Sequence, residues 1–201
     1  MTLGQEPLAE FDEPIRVLMD CHRRIEKFLA LLLRVADECR GQAMSPEHRD
    51  AAEAALRYFA RAAPHHTADE EEALFPALRR HAHLPQVAEA LRRIDQLEAD
   101  HDHADAGHTR VNELMQRWLD EGTLSAERLA ELRQTLATLH ATYVRHIAEE
   151  DEVIFPLAAE VLAKEALIEV GRSMATRRGL APGSPSATSP RCKHAHKNRG
   201  A

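Results

Sequence analysis

Aromatic residues make up only 4% of the chain and glycine only eight of its 201 residues, shortages that favour helices over sheets. The three cysteines, Cys21, Cys39 and Cys192, share no regular spacing and form no disulfide framework. The opening stretch MTLGQEPLAEFDEP lacks the basic-then-apolar pattern of an export signal, which predicts a cytoplasmic protein. The longest apolar run, FLALLL at 28–33, falls far below the roughly 18 residues a membrane helix needs, so no membrane span is expected. No Gly-x-Ser-x-Gly motif, phosphate loop or Cys-His signature supports nucleophilic catalysis.

What the chain does have is Ala, Leu, Glu and Arg, the strong helix formers. With 44% hydrophobic residues it can build one domain around a real core. Charge is divided unevenly: seven basic residues and no acids follow from Arg172 onward, so the formal net charge of −7 leaves −14 on residues 1–171. Such an acidic body repels phosphate, which argues against nucleic acid as a partner. The stretch GLAPGSPSATSPRCKHAHKNRGA has too few large apolar residues to repay its ordering entropy, and a disordered basic tail is expected over 176–201. Within it, Cys192, His194 and His196 read as part of a basic tail rather than a metal site.

Stop and start signals divide the rest into four long helices. The first begins near Asp12–Pro14, carries Ile15, Leu18, Ile25, Leu29, Leu32 and Val35 at helical spacing, and ends at Gly41. The second opens at Ser45-Pro46 and runs toward Arg80, with a kink at Pro64 and an end or bend at Pro76. The third starts at Leu84-Pro85 and stops at Gly122, with an oddly polar middle, ADHDHADAGH. The fourth runs from Ser125 to Pro156, and a short amphipathic helix is expected over 160–175. Short connections between long helices predict an all-α, antiparallel up-down four-helix bundle over 12–175, behind a flexible N-terminus of residues 1–11.

The segment HTADEEEALFP at 66–76 returns without a gap as HIAEEDEVIFP at 146–156, an offset of 80 residues. A single histidine precedes each copy on the previous helix, His22 and His101, offset by 79. The chain is thus two similar helix pairs, a period suited to a pseudo-symmetric bundle that closes on itself. Residues i and i+4 differ by about 40° around a helix, so His66 with Glu70, and His146 with Glu150, each share one face. Should these faces meet, four imidazoles and two carboxylates converge in a low-dielectric interior. Two divalent cations would offset the cost of burying them, each carboxylate bridging the pair.

The order His, His-x3-Glu, His, His-x3-Glu on four helices, with the Phe-Pro ends of both copies, resembles the hemerythrin family in its bacterial HHE cation-binding branch. The likeness covers residues 12–160. It implies a non-heme centre of two iron ions, bridged by oxo or hydroxo and by carboxylates, with His22, His66, His101 and His146 as terminal ligands and Glu70 and Glu150 as bridges. It implies reversible binding or sensing of O2 or NO, or iron and redox handling. The classical oxygen carriers have His-x3-His on their third helix, whereas Asp105 follows His101 here. As a ligand Asp105 would stabilise ferric iron and push the site toward oxidation or storage. His108 is the alternative fifth donor, and His103 lies about 200° round the helix from His101. Asp151 competes with Glu150 as bridge, since the carriers use His-x4-Asp there; the internal repeat favours Glu150.

Either His-x3-Glu motif alone is a surface pair, and only the repetition makes it a site. Glu71, Glu72, Glu149 and Glu152 read as solvated surface. His65 with Asp69 reads as an outer pair around the site. Phe59, Phe75, Phe155 and Tyr143 read as core, and Cys21 as a small buried apolar residue. Ferritin-like architecture needs Glu-x2-His on two helices, and only Glu98 with His101 qualifies. The leading expectation is a metal-binding module acting on a small gaseous or peroxide ligand. The alternatives are a di-iron enzyme that turns over peroxide or NO or repairs iron centres, and a metal-free helical module that meets a basic protein partner.

Overall fold

The computed structural model describes residues 10–180; residues 1–9 and 181–201, with the expected tail and its Cys192, His194 and His196, lie outside the described residues. Helix α1 (Pro14–Cys39) is followed by a broken rod made of α2 (Pro46–Arg61), α3 (Ala63–Asp69), a wide π turn (Glu70–Leu74) and α4 (Phe75–Arg79). Helix α5 (Pro85–Glu121) leads to a second rod of α6 (Ala126–Glu149), a π turn (Glu150–Ile154) and α7 (Phe155–Val161), and α8 (Lys164–Arg177) is the last helix among the described residues. Among the described residues there is no strand. The four rods touch in a ring, α1 on α2, α2 on α5, α5 on α6 and α6 on α1, which is the expected up-down bundle.

The starts follow the local chemistry anticipated for them. Ser45 and Ser125 accept from the backbone N–H groups of His48 and Arg128 at 3.2 and 3.3 Å, and proline occupies the first turn of α1, α2 and α5. The turns after α1 and α5 need positive φ at Gly41 and Gly122, and they meet at one end of the bundle, where Leu124 N–H donates to the Gly41 carbonyl at 2.8 Å. Pro64 breaks the rod of α2 to α4 at Ala62, as its missing N–H demands.

Two features differ from the sequence-based expectation. The end or bend expected at Pro76 is a bend, and Pro156, expected to close the fourth helix, does not end it. Each sits just behind a π turn, in which Phe75 or Phe155 N–H bonds back five residues to the carbonyl of Glu70 or Glu150, and the helix resumes. The second is at the chain end: α8 runs to Arg177 rather than giving way to a tail at 176. Arg177 and Arg178 clamp buried Asp69, the latter at 2.7 Å, and Phe11, expected in a flexible N-terminus, is buried.

Two apolar cores fill the bundle. One, around Leu29, Leu32, Met115, Trp118, Leu132 and Leu136, lies toward the Gly41 end. The other, around Leu18, Leu74, Phe75, Ile94, Phe155 and Met174, lies toward α8. The polar middle of α5 crosses the layer between them. Gly171 lets α8 sit directly on the chain entry, since a methyl there would overlap the Phe11 carbonyl. Gly171→Ala should therefore cost about 1–3 kcal/mol of unfolding free energy by denaturant titration, although alanine is the better helix former.

Candidate metal centre

His22 on α1, His66 on α3, His101 on α5 and His146 on α6 meet Glu70 and Glu150, the first residues of the two π turns. All six are buried, both glutamates completely. Their donor atoms fall into two groups that share the glutamates. One holds His22, His66, Glu70 and Glu150, the other His101, His146, Glu70 and Glu150, and within each the atoms lie within 4.8 Å of one another. His66 Nε2 stands 3.3 Å from Glu70 Oε1 and His101 Nε2 3.4 Å from Glu70 Oε2, so this carboxylate faces one imidazole of each group. Glu150 Oε2 faces His22 Nε2 at 3.0 Å and His146 Nε2 at 3.1 Å.

The other ring nitrogens are handled by acids the sequence reading placed elsewhere. Asp151 Oδ1 lies 2.8 Å from His22 Nδ1, and Glu71 Oε1 lies 2.8 Å from His101 Nδ1. The acid after each buried glutamate thus crosses to the lone histidine of the other helix pair. In a π turn each residue advances by a smaller angle than in an α-helix, so these acids stay near the face of their predecessors. Glu71 is therefore an orienting group and not solvated surface. Asp151, which competed on paper with Glu150 as bridge, lies outside both groups. Carboxylates in this position fix the tautomer of an imidazole and strengthen it as a ligand.

The remaining candidates sort clearly. Asp105 is exposed and belongs to neither group. His108 also lies outside them: its Nε2 pairs with the Tyr143 hydroxyl at 3.0 Å and its ring stacks on Phe59 at 4.3 Å. His103 is exposed, its Nδ1 2.6 Å from the Ala99 carbonyl. Asp69 serves the α8 arginines rather than His65. Glu149, partly exposed, pairs with Arg93, and Phe155 stacks on His22 with ring centroids 5.3 Å apart. Asp100, which sequence reasoning passed over, places Oδ2 3.6 Å from His146 Nδ1 and is held by Arg145 at 2.8 Å. Its only signal was its place beside His101.

Electrostatics follow this layout. Burial disfavours the charged form of His22, but the carboxylates around it, Asp151 at a hydrogen bond and Glu150 and Glu70 close by, outweigh burial and hold the pKa well above the usual value. His101 likewise rises to about 9 against burial, through Glu70 and Glu71. His66 falls to about 4, because burial dominates and its histidine neighbours add repulsion. Burial would raise Glu70, yet His66, His101 and His22 pull it well below the carboxylate range.

A cation-sized demand remains. Close as these nitrogens and oxygens lie, among the described residues His22 Nε2 and both oxygens of Glu70 and of Glu150 are buried with no hydrogen bond of good geometry. Leaving four carboxylate oxygens so is expensive, and a mixed imidazole and carboxylate set suits divalent iron, manganese or zinc. Outside this layer a cavity of about 230 Å³, lined among others by Thr67, Glu71, His101, His108 and Tyr143, approaches the His101 side.

Comparison with known proteins agrees with this geometry. The family model described as the hemerythrin HHE cation binding domain matches residues 13–158. An uncharacterised protein of Haemophilus influenzae is 31% identical over 176 residues, which cover 88% of this chain and 96% of that protein.

His108 offers a pH test beside the centre. Burial lowers its pKa to about 4, only weakly opposed by Asp105. Its contribution is complete above the unfolded value of about 6.5 and is lost as pH falls toward 4. Metal-free protein should thus lose about 2 kcal/mol from this group between pH 7 and 5 in denaturant titrations, a loss absent in His108→Phe.

Proposed function

The chain belongs to the hemerythrin HHE cation-binding family, and on that footing we propose that it holds two non-heme iron ions between its helix pairs and uses them to bind or sense O2, NO or a related small oxidant. The observation that carries this reading is the sharing of Glu70 and Glu150 by two groups of buried imidazoles. Two acceptors common to two donor sets fit a pair of bridged ions better than a single one. His22 and His66 would hold one ion, His101 and His146 the other, and the two glutamates would span them. Bound iron would supply the electrons that such ligands take up. The protein's own part is to keep the layer dry between two apolar cores, to orient imidazoles through Asp151 and Glu71, and to restrict approach. The cavity on the His101 side, bordered by Tyr143 and His108, offers such a ligand an approach to the centre.

Protein purified without chelator should carry about two metal ions per chain by elemental analysis, predominantly iron. Near-ultraviolet charge-transfer absorption should accompany them and change on addition of NO. His146→Ala should fall to about one ion and His103→Ala should keep the full complement. Metal-free protein after growth in excess iron would end the proposal.

A further inference from the structure

The internal repeat places Cys21 and Asp100 in corresponding positions, each immediately before the lone histidine of its half. In the second half Asp100 faces the outer nitrogen of His146 at 3.6 Å and is anchored by Arg145 at 2.8 Å and by Gln96 at 3.3 Å. The first half differs. His66 is the counterpart of His146 and is only 3% exposed, and among the described residues its Nδ1 has no hydrogen-bond partner. Of the four histidines, His22 and His101 have Asp151 and Glu71 at hydrogen-bond distance and His146 has Asp100 as a longer charge contact at 3.6 Å, while among the described residues His66 has no carboxylate paired with its Nδ1. Cys21, buried, holds the position in the first half of the repeat that Asp100 holds in the second.

We propose that the two metal positions are unequal, and that the one built on His22 and His66 holds its ion more loosely because Cys21 replaces the acid that supports the other position. The inference rests on the dinuclear reading above. An imidazole that binds metal through Nε2 carries its proton on Nδ1, and a carboxylate facing that proton increases the electron density given to the ion. His66 lacks this support and must also keep a buried N–H unpaired, which costs free energy whenever the ring is held in place. Removing such outer partners typically weakens metal affinity about 10–100-fold, so a difference of that order is expected between the halves.

The test is zinc affinity by competition with a chromophoric chelator. Stepwise binding to wild type does not decide the matter, because repulsion between adjacent cations separates even equivalent steps. Single-ion variants do. His66→Ala, left with the His101 and His146 position, should bind its remaining zinc about tenfold or more tighter than His146→Ala, left with the His22 and His66 position. Adding Cys21→Asp to His146→Ala should recover most of that difference, and adding Asp100→Cys to His66→Ala should erase it. Circular dichroism identifies any variant that fails to fold, and the two additions probe the halves independently. Equal or reversed affinities of the two single-ion variants, or additions without effect in folded protein, overturn the inference. Wild type that takes up no zinc and no iron overturns the dinuclear reading itself.

Discussion

The centre of this molecule is built around two buried glutamates. Glu70 and Glu150 are fully buried, and among the described residues neither has a hydrogen-bond donor placed to satisfy its oxygens. Their nearest polar neighbours are four imidazoles delivered by separate helices. A carboxylate taken out of water must be compensated, and the compensation here comes from across the bundle and not from one helix. That requirement couples the rods. Shifting any one would pull a histidine from the shared acids, so the polar layer specifies the register of the bundle while the apolar cores above and below it supply most of the burial.

The repeated sequence produces approximate symmetry, and the exchange across it is the most informative structural finding. Each half contributes a buried glutamate to both donor groups and then an acid to the lone histidine of the other half, Asp151 to His22 and Glu71 to His101. Neither half could complete its donor set alone. The π turns make this possible, since they let consecutive acids serve two different histidines and carry the helix past Pro76 and Pro156. Where the symmetry lapses, at Cys21 opposite Asp100, the surroundings of His66 and His146 diverge.

The last helix adds a different constraint. Asp69, adjacent to Glu70, is fully buried and paired with Arg177 and Arg178, which ties α8 to the rod that carries half the centre. Gly171 permits the close approach of α8 to Phe11, so the chain entry and α8 brace the same end of the bundle. In the family comparison the matched segment stops at residue 158, before this helix, so the two arginines of the clamp lie beyond the part of the chain that the family model describes.

Much was legible from residues alone. The all-α class, the helix starts at Pro14, Ser45-Pro46 and Ser125, the two helix pairs and the six gathered side chains follow from helical spacing and an 80-residue offset, because both are local or self-referential patterns. What the tertiary structure decided was the partner of every remaining acid. A uniform 3.6-residue period turns Glu71 to solvent and leaves Pro76 as an end or a bend, whereas the observed wide turn keeps Glu71 inward and carries the helix on. Asp105 and His108 shared a plausible helical face with His101, yet the bundle geometry left Asp105 exposed and gave His108 to Tyr143. Spacing along one helix says which residues share a face. Only the packing of several helices says what that face meets, because the phase and tilt of each rod come from contacts that no single segment encodes.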